Sequence, residues 1–129
     1  MRITPCDPPR AFDVGRRVKI QLKDCARIAL EPDEQVTFVT ESGGEYDVAR
    51  KSWGFYATPS TNQRLPRFGL RAVLVKSPDG KHYVWLVERG KEPAFREYLE
   101  AEQQTVISWL DSDEALERLA QRVGEPRPA

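Results

Sequence analysis

The chain has 129 residues, with 20 Lys plus Arg against 20 Asp plus Glu, one histidine and two cysteines. This length suits a single domain with a hydrophobic core of its own, independent of metal or disulfide support. A formal charge of zero argues against a nucleic-acid binder or an acidic tail by composition. No apolar run approaches the ~20 residues of a membrane helix.

Charge is unevenly spread. Residues 45–71 carry two acids and five bases, and residues 88–125 carry ten acids and five bases. Cys6 and Cys25 lie outside any CxxC pattern, with no histidine beside them, so two free thiols are expected. The N-terminus lacks the apolar stretch of a secretion signal. By exclusion the expected location is the cytoplasm.

In chain order, residues 1–15 hold Pro5, Pro8 and Pro9 and little apolar material, which predicts a flexible, extended N-terminal arm. Residues 16–22 alternate, with Val18, Ile20 and Leu22 on one side, as in a half-buried strand. Lys23-Asp24 is expected to break it, and alternation resumes over 26–30. Residues 35–40 are β-branched and aromatic. Ser42-Gly43-Gly44 suits a tight turn, after which 45–49 form the returning strand.

Residues 70–75 and 82–87 are near-continuous apolar runs joined by Ser77-Pro78-Asp79-Gly80, a turn in which proline sets the first corner and glycine the exit. Such runs predict a central hairpin buried on both faces. Pro93 opens a helix to about residue 103; 105–110 are expected as a short strand, with a continued helix placing Val106, Trp109 and Leu110 on one face as the rival. Asp111 and Glu114 have the spacing of a capping box before a helix carrying Leu116, Leu119 and Val123, closed by Gly124 and Pro126. Strands followed by helices predict an α+β fold: an antiparallel β-rich sandwich or partly open barrel with C-terminal helices. One domain is expected over 16–124, with a frayed tail at 125–129.

No phosphate-binding glycine loop, dinucleotide fingerprint or nucleophile elbow is present. A single His82 cannot build a histidine metal set or a catalytic triad. No metal and no cofactor are implied. The stretch richest in chemistry is 46–68. There Arg50, Lys51, Arg64 and Arg67 can pair with anionic groups. Trp53 and Tyr56 offer faces for stacking, and Asn62 adds an amide. Trp53 and Phe55, on alternate positions, can equally fill a core. The proline-marked segment 58–67 is expected as a surface loop serving binding more than folding. An acid–base pair drawn from Glu45, Asp47 or Glu88 with Tyr46 or Tyr56 is chemically open, and no spacing favours it.

The segment Ser52-WGFYATP-Ser60, the following Asn62 and Arg64-Leu65, then Gly69-LRAVL-Val75 and Leu86-VERGK-Glu92 resemble a family of small bacterial proteins with no assigned activity. The resemblance spans about 36–110. It implies an association with surface-polysaccharide genes and brings no catalytic residues.

The resulting expectation is a non-catalytic cytoplasmic binding or accessory domain. Its surface at Arg50, Lys51, Trp53, Tyr56, Asn62, Arg64 and Arg67 would take an anionic ligand, such as a sugar nucleotide, or an acidic protein partner. The alternatives are a small metal-independent enzyme acting on a carbohydrate-type substrate, or a nucleic-acid module, which zero charge disfavours. A buried polar pocket beside Tyr56 would favour the enzyme; an exposed patch would favour the interaction protein.

Overall fold

Three antiparallel sheets and three helices make up the computed structural model, which describes residues 1–17 and 19–124. β1 (Arg2–Val14) pairs only with β2 (Ile20–Ala29). β3 (Gln35–Val39), β4 (Glu45–Lys51) and β5 (Gly54–Ala57) form a second sheet in that order. β6 (Leu70–Lys76) lies between β7 (His82–Glu88) and β8 (Thr105–Trp109) in the third. α1 (Arg64–Arg67) precedes β6, α2 (Glu92–Ala101) follows β7, and α3 (Asp113–Val123) closes the described chain. The fold is α+β and sandwich-like, and among the described residues no sheet closes into a barrel. Among the described residues no helix is long and apolar enough to cross a membrane.

The expected flexible arm is instead a strand, paired from Arg2↔Ala29 to Val14↔Ile20. Two of its prolines are accommodated because the register shifts between Pro5, which pairs with Ala26, and Arg10. Pro8 and Pro9 fall within that irregularity, where the ladder asks no N–H of them. The break expected at Lys23-Asp24 is absent, since β2 runs through it. Asp24 there pairs with Arg10 across the strands at 3.3 Å. Val18 and the tail 125–129 lie outside the described residues.

Two apolar clusters sit on opposite faces of the third sheet. On one face Val73, Val75 and Val87 pack with Trp85, Phe95, Leu99, Val106 and Trp109, so α2 covers this side through its Phe95 and Leu99. On the other face Leu65, Leu70 and Ala72 pack with Tyr46, Leu86 and Leu110, which brings α1 and the second sheet against the start of β6. The hairpin expected at 70–87 forms with Lys76↔His82 at its turn. Burial on both faces holds for β6 alone. β7 is an edge strand, and Val84 at 60 % exposure lies beyond the reach of either cluster.

Local signals set the remaining bounds. In the β3–β4 turn Gly44 packs so tightly that an added Cβ would stand 2.9 Å from Thr40 Oγ1, and its N–H donates to that oxygen. α3 is capped by Ser112, whose Oγ accepts from Ala115 N at 3.0 Å. The cap is thus one residue later than the Asp111 expected, because Ser112 has the extended backbone a cap requires.

Ser42 ties the β3–β4 turn to β7 by donating to Glu88 Oε2 at 2.7 Å. Hydrogen bonds from Ser42, then Thr40, hold the Glu88 carboxyl below its usual 4.5, with Lys91 adding charge attraction. A carboxyl lowered in the folded state stabilises fully above its unfolded pKa. That contribution is lost as pH falls through the folded value. Glu88→Gln should therefore show a shallower decline in melting temperature than wild type as pH falls from about 5 to 3. Parallel curves for the two proteins would mean that Glu88 does not carry this link.

Candidate functional site

The β4–β5 hairpin gathers the aromatic part of the 46–68 stretch. Lys51 pairs with Gly54 across a two-residue connection, Ser52-Trp53, and Gly54 takes φ 150°, a conformation costly for a side-chain-bearing residue. Trp53 therefore sits at the tip and is 70 % exposed. Its ring stacks on Tyr56 with centroids 6.1 Å apart and planes 28° off parallel. Arg50 and Phe55 are cross-strand partners, on the other side of the ribbon from Tyr56 by strand alternation. The Arg50 guanidinium lies 5.4 Å from the Phe55 ring centre and donates to Gly54 O at 3.3 Å. Phe55 is 59 % exposed. Trp53 and Phe55 do not fill the core, because the hairpin tip projects beyond the sheet that would cover them.

The polar residues of the stretch are mostly engaged within the chain. Lys51 forms an ion pair with Asp33, whose hydrogen bond and charge raise the Lys51 ammonium above its usual pKa. Asn62 Nδ2 donates to Asp113 Oδ1 at 2.7 Å. Arg64 pairs with Asp47 at 3.3 Å and lies 5.2 Å from the Phe68 ring centre. Asp47 is buried and also accepts from Thr37 Oγ1 at 2.6 Å. Arg67 is exposed and makes no ion pair among the described residues. The segment 58–67 is not a free surface loop. Pro59 is buried, Leu65 is 1 % exposed, and Arg64–Arg67 form a helical turn whose Leu65 N–H donates to Ser60 O at 2.9 Å.

The structure thus joins Trp53 with Tyr56 at one tip, and Arg50 with Phe55 behind it. Lys51, Asn62 and Arg64 are each tied to a separate carboxylate. A second polar feature, unread in the sequence, lies between β8 and α3. There Arg71 reaches Asp111 with Nε at 2.5 Å and packs 4.0 Å from the Trp109 ring centre. Those residues line a cleft of about 430 Å³ with Arg118 and Arg122. The contacts join positions about forty apart, beyond the range of local spacing. The i, i+4 pair Arg118 and Arg122 was the only local sign. Among the described residues no group of three His, Cys, Asp or Glu could hold a metal ion.

Comparison with protein-family models, with characterised proteins and with solved structures finds no match. The reading of function therefore rests on the chain's own geometry.

Proposed function

We propose that the protein is a non-catalytic binding domain whose contact element is the β4–β5 tip, and that its partner is a protein with an acidic face. The observation that carries this is Trp53, 70 % exposed and stacked on Tyr56, with Phe55 at 59 % behind it. Exposed clustered aromatics mark contact surfaces, and Trp, Tyr and Arg dominate binding hot spots. Small-molecule sites enclose most of their ligand. A projecting tip encloses nothing, which favours a macromolecule over a sugar nucleotide. Arg50, beside Phe55, makes no ion pair among the described residues, and it supplies the preference for negative charge.

Trp53→Ala with Tyr56→Ala tests this. Loss of exposed side chains should leave stability within about ±0.5 kcal/mol. Affinity for a protein captured by wild type should fall at least tenfold, about 1.4 kcal/mol. Unchanged affinity would move the site elsewhere. A melting-point rise of several degrees with sugar nucleotides would replace the protein partner by a small ligand.

A further inference from the structure

Beyond that reading, the β1–β2 hairpin poses a separate problem of packing. Cross-strand pairs Ile3↔Ile28, Phe12↔Leu22 and Val14↔Ile20 stand on one face, because the positions along β2 are all even. The Arg10–Asp24 ion pair interrupts that face beside Phe12, and the other face carries Arg2, Lys23 and Arg27. Five of the six apolar residues are 39–53 % exposed. Neither apolar cluster of the protein includes a residue of this hairpin. A two-stranded ribbon is at best marginally stable alone in water, so this one needs a covering surface on its apolar side.

Its own body holds it at the ends. The Met1 ammonium donates to Glu34 Oε2 at 3.2 Å, and Arg16 N donates to the buried Glu102 Oε2 at 2.6 Å. Glu102 is the C-cap of α2, which packs on the Val73–Val75 face of the third sheet. The hairpin turn is therefore anchored on the α2 side. The opposite face of the same sheet is open where the second sheet stops. Leu74 and Val84 are paired there, with Val84 60 % exposed. The opening continues into a cleft of about 320 Å³ lined by Phe38, Val39, Tyr46, Leu70, Leu86 and Glu88.

Charge separates the same two parts. Residues 1–29 hold seven bases and three acids, a net +4, and residues 30–129 hold thirteen bases and seventeen acids, a net −4. A basic amphipathic ribbon and an acidic body with an open apolar face are complementary in both charge and polarity.

We propose that β1–β2 is a dimerisation arm: its apolar face lies on the open Leu74–Val84–Leu86 face of a second copy of this chain, and that copy's arm returns the contact. A two-fold axis makes the exchange reciprocal and doubles the buried surface. The occupant is a second copy because each chain offers both halves of the contact, and their charges cancel.

Sedimentation equilibrium on the full chain should give twice the 14.8 kDa chain mass, with an association that weakens as salt screens the charges. Phe12→Glu with Leu22→Glu, and separately Val84→Glu, should each give a folded species of single-chain mass. All three sites are exposed, so far-UV dichroism and melting temperature should stay near wild type. Mixing the two variants restores one arm–face contact of the two, and native mass spectrometry should detect their heterodimer. Wild type at single-chain mass up to 100 μM overturns the proposal, whether or not the arm then binds an oligonucleotide. A Val84→Glu protein that remains dimeric overturns it too, since arm-to-arm packing would then account for the dimer.

Discussion

Leu65→Ala is expected to lower unfolding free energy by about 2–5 kcal/mol, the range for truncating a fully buried leucine. Leu65 is 1 % exposed and packs with Leu70 and Ala72 of β6, Tyr46 of β4, Leu86 of β7 and Leu110. It is the one buried residue of α1, and its side chain plugs the junction between the second and third sheets. Little around it can collapse into the void, because its neighbours belong to separate strands fixed by their own ladders. Denaturant titration measures the loss. A value under about 1 kcal/mol would mean that the junction closes without Leu65, and the link between the sheets would have to be sought elsewhere.

Arg64→Glu should destabilise by about 1–3 kcal/mol, whereas Arg67→Glu should stay within about 0.5 kcal/mol of wild type. The two arginines look equivalent in the sequence and differ in what they face. Arg64 pairs with the buried Asp47. Reversing its charge leaves that carboxylate with Thr37 Oγ1 as side-chain donor and places a like charge beside it. The full cost of breaking a buried pair, about 3–5 kcal/mol, does not apply, because the Arg64 side chain is half exposed and water replaces part of the lost contact. Arg67 is exposed and makes no ion pair among the described residues. Separate melting curves for the two single variants decide the matter. Equal stability of both would remove the structural role of the Arg64–Asp47 pair. The sequence expectation is that 58–67 serves binding more than folding; this pair gives Arg64 a contact within the fold as well.

The β6–β7 hairpin and α2 were readable in the chain because each carries its own signal, whereas 105–110 suited a strand or a continued helix and only pairing with β6 made it β8. Ser77-Pro78-Asp79-Gly80 makes its turn from residues that prefer those backbone angles, and Gly80 N–H indeed donates to Ser77 O at 3.0 Å. Pro93 starts a helix wherever the chain goes next. β1 was not readable, since its prolines argue locally against a strand, and only the partner strand shows that Pro8 and Pro9 fall in a bulge. Trp53 and Phe55 had two readings because alternation says which residues share a face. It does not say whether anything covers that face.

The sequence by itself determined the β-rich character, the order of strands before helices, most turns, and the concentration of aromatic and basic residues at 50–67. These depend on propensity, period and backbone preference, which act over a few residues. Tertiary structure alone decided which of those residues are bound within the chain. Arg64 meets Asp47, Lys51 meets Asp33, and Asn62 meets Asp113, at separations where chain geometry imposes no pairing. It also decided that Trp53 is exposed, that Leu65 is core, and that Val84 and most apolar residues of the β1–β2 ribbon are left exposed. Burial is a property of what packs above a residue, and that is set by the path of the whole chain.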